Sequence, residues 1–516
     1  MRALRSLPLL LLGLLAGLGP AGAASDWQRK VEPALLAAVA HGRAEALIVL
    51  GEQADLAPAA ALPTRAEKGR FVVARLQQTA RELQAGLLAE LAARGIDHQP
   101  FWVANFVAAR LDAPALAAVA ARDEVAAVEL SGRFSLPPAP AETPPRPESP
   151  DGVEWGLAKV QAPPVWALGI RGQGVVVGGQ DTGYEWNHPA LREQYRGWNG
   201  SSASHAFHWH DAIHAGGGSC GANSPEPCDD HGHGTHTAGT MVGDDGGTNQ
   251  IGMAPAARWI GCRNMNQGYG TPATYSECFQ WFLAPTDLAG QHGDPALAPA
   301  VINNSWGCPP AEGCTYPEIL RTVVENVRAA GIVVVASAGN SGSSCATVQD
   351  PPAIYAAAFT VGATDANDTI AGFSSRGPVT VDGSGRLKPD IAAPGSSVRS
   401  AIRGGGYGTM SGTSMAGPHV AGLVALILSA APALDGRVET IERLIARSAV
   451  PLGTSQLCHP DIPAGAVPNP TFGHGRIDAL AAVAAALDWI FEDGFESGGL
   501  PGGWAGWDSP GGAGQP

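Results

Sequence analysis

Val175-Val176-Val177-Gly178-Gly179-Gln180-Asp181-Thr182-Gly183 is a run of apolar and small residues that stops at an acid. β-Branched residues at consecutive positions, without alternation, suit a strand covered on both faces. Working outward, residues 258–263, 300–304, 332–338 and 359–363 have the same character. Residues 274–283 and 316–330, between them, have helical spacing. Buried strands separated by helices predict an α/β domain over residues 153–488, a parallel sheet with helices on both faces. Ligand sites in such folds gather beyond the carboxyl ends of the strands, and Asp181 falls at such an end.

The flanks are organised differently. Residues 25–136 are alanine-rich, with strand character at 45–50, 101–111 and 125–130 and helical spacing at 70–94 and 113–121. This β-α-β-α-β order predicts a small α+β domain. Seven prolines between Pro137 and Pro150 mark residues 137–152 as an extended linker open to proteolysis. Arg2 and Arg5, an apolar run from Leu7 to Leu18 and small residues after it read as a signal peptide over residues 1–24. The run is shorter than the roughly 20 residues that a membrane span needs. Residues 489–516 read as a Gly/Pro-rich tail.

Composition narrows the function. Hydrophobic residues make up 45% and charged residues 15%, which argues against charge-driven disorder. A net charge of −15 argues against a nucleic-acid partner. Eight cysteines in an exported chain imply disulfides. Cys220 with Cys228 and Cys308 with Cys314 are near enough in sequence to close small loops, and the chain has no CxxC pair.

Three segments carry chemistry. Asp181 ends its strand, where an aspartate is otherwise a turn or cap residue. His231-Gly232-His233-Gly234-Thr235-His236 is a histidine cluster beside Asp229 and Asp230. As a metal site it is weak, because residues two apart do not face each other on a helix and the HExxH spacing is missing. Gly412-Thr413-Ser414-Met415-Ala416 opens an apolar helix. Ser414 could be an ordinary N-cap, yet small residues on both sides leave room for a substrate, and a helix start offers backbone N–H groups to an oxyanion.

Asp181-Thr182-Gly183, His233-Gly234-Thr235-His236 and Gly412-Thr413-Ser414-Met415-Ala416, with Ala338-Gly339-Asn340-Ser341-Gly342, resemble the motif blocks of subtilisin-like serine peptidases. The Asp, His, Ser order is that of subtilisin. The likeness covers residues 153–485 and is greatest to the bacillopeptidase F-like group. The resemblance implies that Ser414 is the nucleophile, His233 its base, and Asp181 the group that orients His233. It gives Asn340 and the Ser414 amide to the oxyanion, and pairs Ser305-Trp306-Gly307 with the substrate strand. Ala338 and Gly339 then border the P1 pocket, and Trp306 suggests apolar subsites. His231, His236 and His419 are structural in this reading.

The same resemblance makes residues 25–136 a ferredoxin-like propeptide, an intramolecular inhibitor removed near the linker. It implies protein or peptide substrates, a monomer, export from the cell, and no cofactor for the chemistry. Structural calcium is common in the family, and Asp244 and Asp245 are candidate ligands. Two other classes compete with this expectation: a catalytically silent binding module on the same fold, and a metal-dependent hydrolase built on the histidine cluster. Ser414→Ala and chelation by EDTA separate the three.

Overall fold

The computed structural model describes residues 26–136, 152–308 and 318–495. The expected signal peptide, most of the linker, Cys314 and the end of the tail lie outside the described residues. The central sheet has seven strands. Their order is Ile391–Pro394, Phe359–Thr364, Val333–Ser337, Val301–Asn304, Val176–Asp181, Arg258–Arg263, Trp209–Asp211. Every pairing between them is parallel. The two edge strands escape sequence reading because three or four residues show no periodicity.

Alternate residues of the central strands feed two separate cores. Val177, Val301, Val333 and Val335 pack with the helices His233–Val242 and Thr413–Ala430. Ile302, Val334 and Ala336 pack with Pro272–Leu283 and Glu318–Ala329 on the other face. Burial on both faces is why these strands read as unbroken apolar runs. Thr413–Ala430 is apolar and long enough to cross a membrane, but 89% of it is buried inside the domain.

The N-terminal unit is a four-stranded antiparallel sheet in the order His98–Phe101, Phe106–Leu111, Ala44–Leu50, Val125–Leu130. The helices Arg65–Ala93 and Ala113–Ala120 accompany it. The single strand expected over 101–111 is in fact a hairpin. Its turn has neither glycine nor proline, because its backbone is satisfied from outside. Gln280 Oε1 accepts the N–H groups of Trp102 and Val103 at 2.7 and 3.1 Å, and Gln53 Oε1 accepts that of Asn105 at 2.8 Å. A turn completed by other elements leaves no local signal.

This unit packs on Pro272–Leu283 and Glu318–Ala329. Val72, Phe101 and Phe106 share one core with Phe279, Val323 and Val327. Arg65 pairs with Asp435 at 2.7 Å, and Lys68 Nζ donates to the Gly436 carbonyl at 2.8 Å. Beyond the sheet, Phe134–Ser135 pairs antiparallel with Tyr269–Gly270, and the Leu136 N–H donates to the Gly268 carbonyl at 2.7 Å.

At the other end, the helix Ala479–Phe495 runs on into the expected tail. Its alanines are strong helix formers, and Arg437 lies over the Trp489 ring at 5.1 Å. Disulfides join Cys220 to Cys228, as expected, and also Cys262 to Cys278 and Cys345 to Cys458. Cys308 is disulfide-bonded as well. Cys345 and Cys458 are 113 residues apart, so their bond removes much freedom from the unfolded chain. The double variant Cys345→Ser/Cys458→Ser is expected to lose roughly 2–5 kcal/mol of stability, read as a lower denaturant midpoint.

Candidate active site

The central strand Val176–Asp181 delivers Asp181 to its carboxyl end, between Val301–Asn304 and Arg258–Arg263. Asp181 is 1% exposed. Its Oδ1 accepts the Thr182 N–H at 2.7 Å and lies 2.7 Å from His233 Nδ1. The Thr237 hydroxyl donates to Oδ2 at 3.4 Å. A carboxylate there keeps the neutral ring's proton on Nδ1 and leaves the Nε2 lone pair open. Burial alone would depress the His233 pKa, but the charge and hydrogen bond of Asp181, then the charge of Asp229, leave it raised.

Asp229 holds the loop that opens the His233 helix. Its Oδ1 accepts the N–H groups of His231 and Gly232 at 3.0 and 2.7 Å. Its Oδ2 accepts the N–H and hydroxyl of Thr235 at 3.0 and 2.6 Å. The Thr182 hydroxyl, next to Asp181, donates to Oδ1 at 2.9 Å. Sequence reading weighed Asp229 only as a metal ligand. The available signal was an acid just before a helix start.

Ser414 lies in the first turn of Thr413–Ala430. Its Oγ donates to the Ser305 carbonyl at 3.1 Å, and the Ser305 hydroxyl returns a bond to the Ser414 carbonyl at 2.9 Å. Among the described residues, no hydrogen bond joins Ser414 to His233. The starts of the two helices are nevertheless bridged. His236 Nε2 bonds the Val398 carbonyl at 3.1 Å, and the Val398 side chain packs against Met415.

Asn340 Oδ1 accepts both the N–H and the hydroxyl of Thr413 at 2.9 Å. Only the oxygen can accept, so Nδ2 must face the other way. A Cβ placed on Gly412 would lie 3.4 Å from Asn340 Nδ2 and 3.6 Å from the Ser414 nitrogen. Both nitrogens therefore lie within 3.6 Å of one position beside Gly412.

Ser305 borders Ser414 and Gly339 borders Thr413, while Ala338 is fully buried and its N–H donates to the Val361 carbonyl. The Gly339 N–H donates to Thr413 Oγ1 at 3.2 Å, from a backbone φ of +100° that glycine adopts without strain. The Trp306 ring is 2% exposed and stacks on Tyr275 with centroids 3.8 Å apart. The ring belongs to the core and not to an apolar subsite. Burial pulls the pKa of His236 down to about 3, with His233 contributing, and that of His419 down to about 4. Both rings are neutral at physiological pH. Among the described residues no group of three or more His, Cys, Asp or Glu side chains could hold a metal ion, so Asp244 and Asp245 stand without further ligands of that kind. Asp244 pairs with Arg171 at 3.0 Å, and Asp245 accepts from Asn249 Nδ2 at 2.6 Å and the Tyr407 hydroxyl at 3.1 Å.

The chain belongs to the subtilase family of serine peptidases, which it matches over residues 172–475. It is 41% identical to Bacillopeptidase F of Bacillus subtilis (strain 168) over 349 residues, 66% of this chain and 22% of that protein. It is 31% identical to the alkaline protease of Shouchella clausii over 370 residues, 72% of this chain and 79% of that one. It is 32% identical to Subtilisin BL of Lederbergia lenta over 331 residues, 64% of this chain and 98% of that one.

Proposed function

We propose that this protein is a secreted serine endopeptidase made as a self-processing zymogen. The observation that carries the reading is the buried Asp181–His233 hydrogen bond of 2.7 Å at a strand end. Rotation about χ1 takes the Ser414 hydroxyl off the Ser305 carbonyl and toward His233. Nε2 then accepts the proton as Oγ attacks the peptide carbonyl. The negative charge that forms on the carbonyl oxygen meets Asn340 Nδ2 and the Ser414 N–H. His233 next passes its proton to the departing amine, which leaves an acyl-enzyme. A water molecule, deprotonated by His233, attacks the acyl carbon; the acid departs and Ser414 recovers its proton.

The packing of the N-terminal unit supports a propeptide role. It covers two helices of the peptidase, and residues 134–136 add a strand to the edge at Tyr269–Gly270. Extended peptides bind exposed sheet edges in this way. Cleavage in the linker that follows would then free the edge for other chains.

A fluorophosphonate probe with peptide mapping tests the reading. A single adduct on Ser414, together with casein hydrolysis lost on labelling, is expected; labelling elsewhere refutes it. Asn340→Ala is expected to lower kcat by roughly 100- to 1000-fold with little change in KM, measured on a chromogenic tetrapeptide.

A further inference from the structure

Past the sheet, the adjacent strands Val301–Asn304 and Val333–Ser337 continue into Ser305-Trp306-Gly307 and Ala338-Gly339-Asn340. The Ser305 carbonyl holds the Ser414 hydroxyl, and the Gly339 N–H holds the hydroxyl of Thr413. A carbonyl carbon bound to Ser414, with its oxygen at Asn340, therefore has one segment on either side. The side chain of that acyl residue (P1, the residue on the carbonyl side of the cleaved bond) would then lie against these two segments. Each of them carries a glycine.

One carboxylate lies against both glycines. A Cβ on Gly307 would stand 3.0 Å from Asp350 Cβ and 3.4 Å from Asp350 Oδ2, and a Cβ on Gly339 would stand 3.5 Å from the same Oδ2. Glycine at both positions is what lets Asp350 approach so closely, and its Oδ2 reaches the Cβ positions of both segments. The Cys308 N–H donates to the Pro351 carbonyl at 3.1 Å and ties the Asp350 segment to that of Gly307. The other neighbour of the Gly339 position is the neutral hydroxyl of Ser375, at 2.9 Å. Asp350 is only 9% exposed, so water screens its charge little.

We infer that Asp350 makes this cleft selective for lysine or arginine at P1. The inference rests on the peptidase reading above. A carboxylate has about four acceptor sites, so an ammonium or guanidinium joins the partners that Asp350 already has. A leucine there forgoes a charge-assisted bond, and a glutamate meets like charge in a poorly screened site.

Four peptides that differ only in Lys, Arg, Leu or Glu at P1 test the assignment. For the wild type, kcat/KM with Lys and Arg is expected to exceed that with Leu about 100-fold, with Glu lowest. The isosteric variant Asp350→Asn is expected to bring the Lys-to-Leu ratio to about one, and fluorophosphonate labelling of Ser414 in that variant shows that the site is folded. A wild type that prefers Leu, or a ratio that survives Asp350→Asn, overturns the assignment. Fluorescence of p-aminobenzamidine, an aromatic amidinium, reads the same carboxylate without turnover. Binding at least roughly tenfold weaker in Asp350→Asn is expected, about 1.4 kcal/mol, and equal binding overturns the role of Asp350. A protein that cleaves none of the four peptides sinks the peptidase reading instead, and the amidinium still decides what Asp350 does.

Discussion

Ser414→Ala is expected to lower kcat on peptide substrates by about a million-fold, because no other group near the carbonyl can form the acyl-enzyme. The side chain is small, and among the described residues its hydroxyl bonds only the Ser305 carbonyl, so the variant should fold. Its second expected consequence is a chain that retains residues 25–136, since the proposed self-processing would use the same nucleophile. Turnover of a peptide substrate checks the first point, and the intact mass of the purified variant, beside that of the wild type, checks the second. A variant that matures normally and still hydrolyses casein would refute the serine mechanism.

Asp181→Asn is the second large effect. The amide removes the charge that favours the imidazolium and allows Nδ1 to be held without its proton. A loss of roughly 10⁴-fold in kcat is expected. The pH dependence has a definite sign. In the proposed mechanism His233 acts as a base only when neutral, and Asp181 raises its pKa above the ordinary value. Wild-type kcat/KM therefore falls as pH drops through that raised pKa, and in Asp181→Asn the fall should move to lower pH.

Stability runs the other way. A histidine whose folded pKa is raised stabilises the fold below its unfolded pKa, about 6.5, and loses that contribution as pH rises through the folded value. Asp181→Asn should therefore cost more stability at pH 5 than at pH 9, measured by denaturant unfolding at both. Equal losses at the two values would show that the carboxylate holds the helix start without charging the ring.

How much of this was legible beforehand depended on where each residue finds its partners. Asp181, His233, Asn340 and Ser414 sit in small-residue blocks whose order could be read along the chain. The inner strands were legible because burial on both faces leaves continuous apolar runs. The turn at residues 102–105 was not legible, because its hydrogen bonds are completed by Gln280 and Gln53 from elsewhere. Trp306 suggested an apolar subsite, and its burial and stacking on Tyr275 place the ring in the core instead. Asp350 carried no signal at all, since nothing local distinguishes it from an aspartate in any loop.

By itself, then, the sequence determined the parallel α/β class, the family and the residues of the proposed triad, because each depends on local periodicity or on a short block of neighbours. The tertiary structure alone decided the role of Asp229 as the anchor of the His233 loop, the strand that residues 134–136 lay on Tyr269–Gly270, and the meeting of Asp350 with Gly307 and Gly339. Those depend on distances between segments far apart in the chain, and only the closed fold brings such segments within reach of one another.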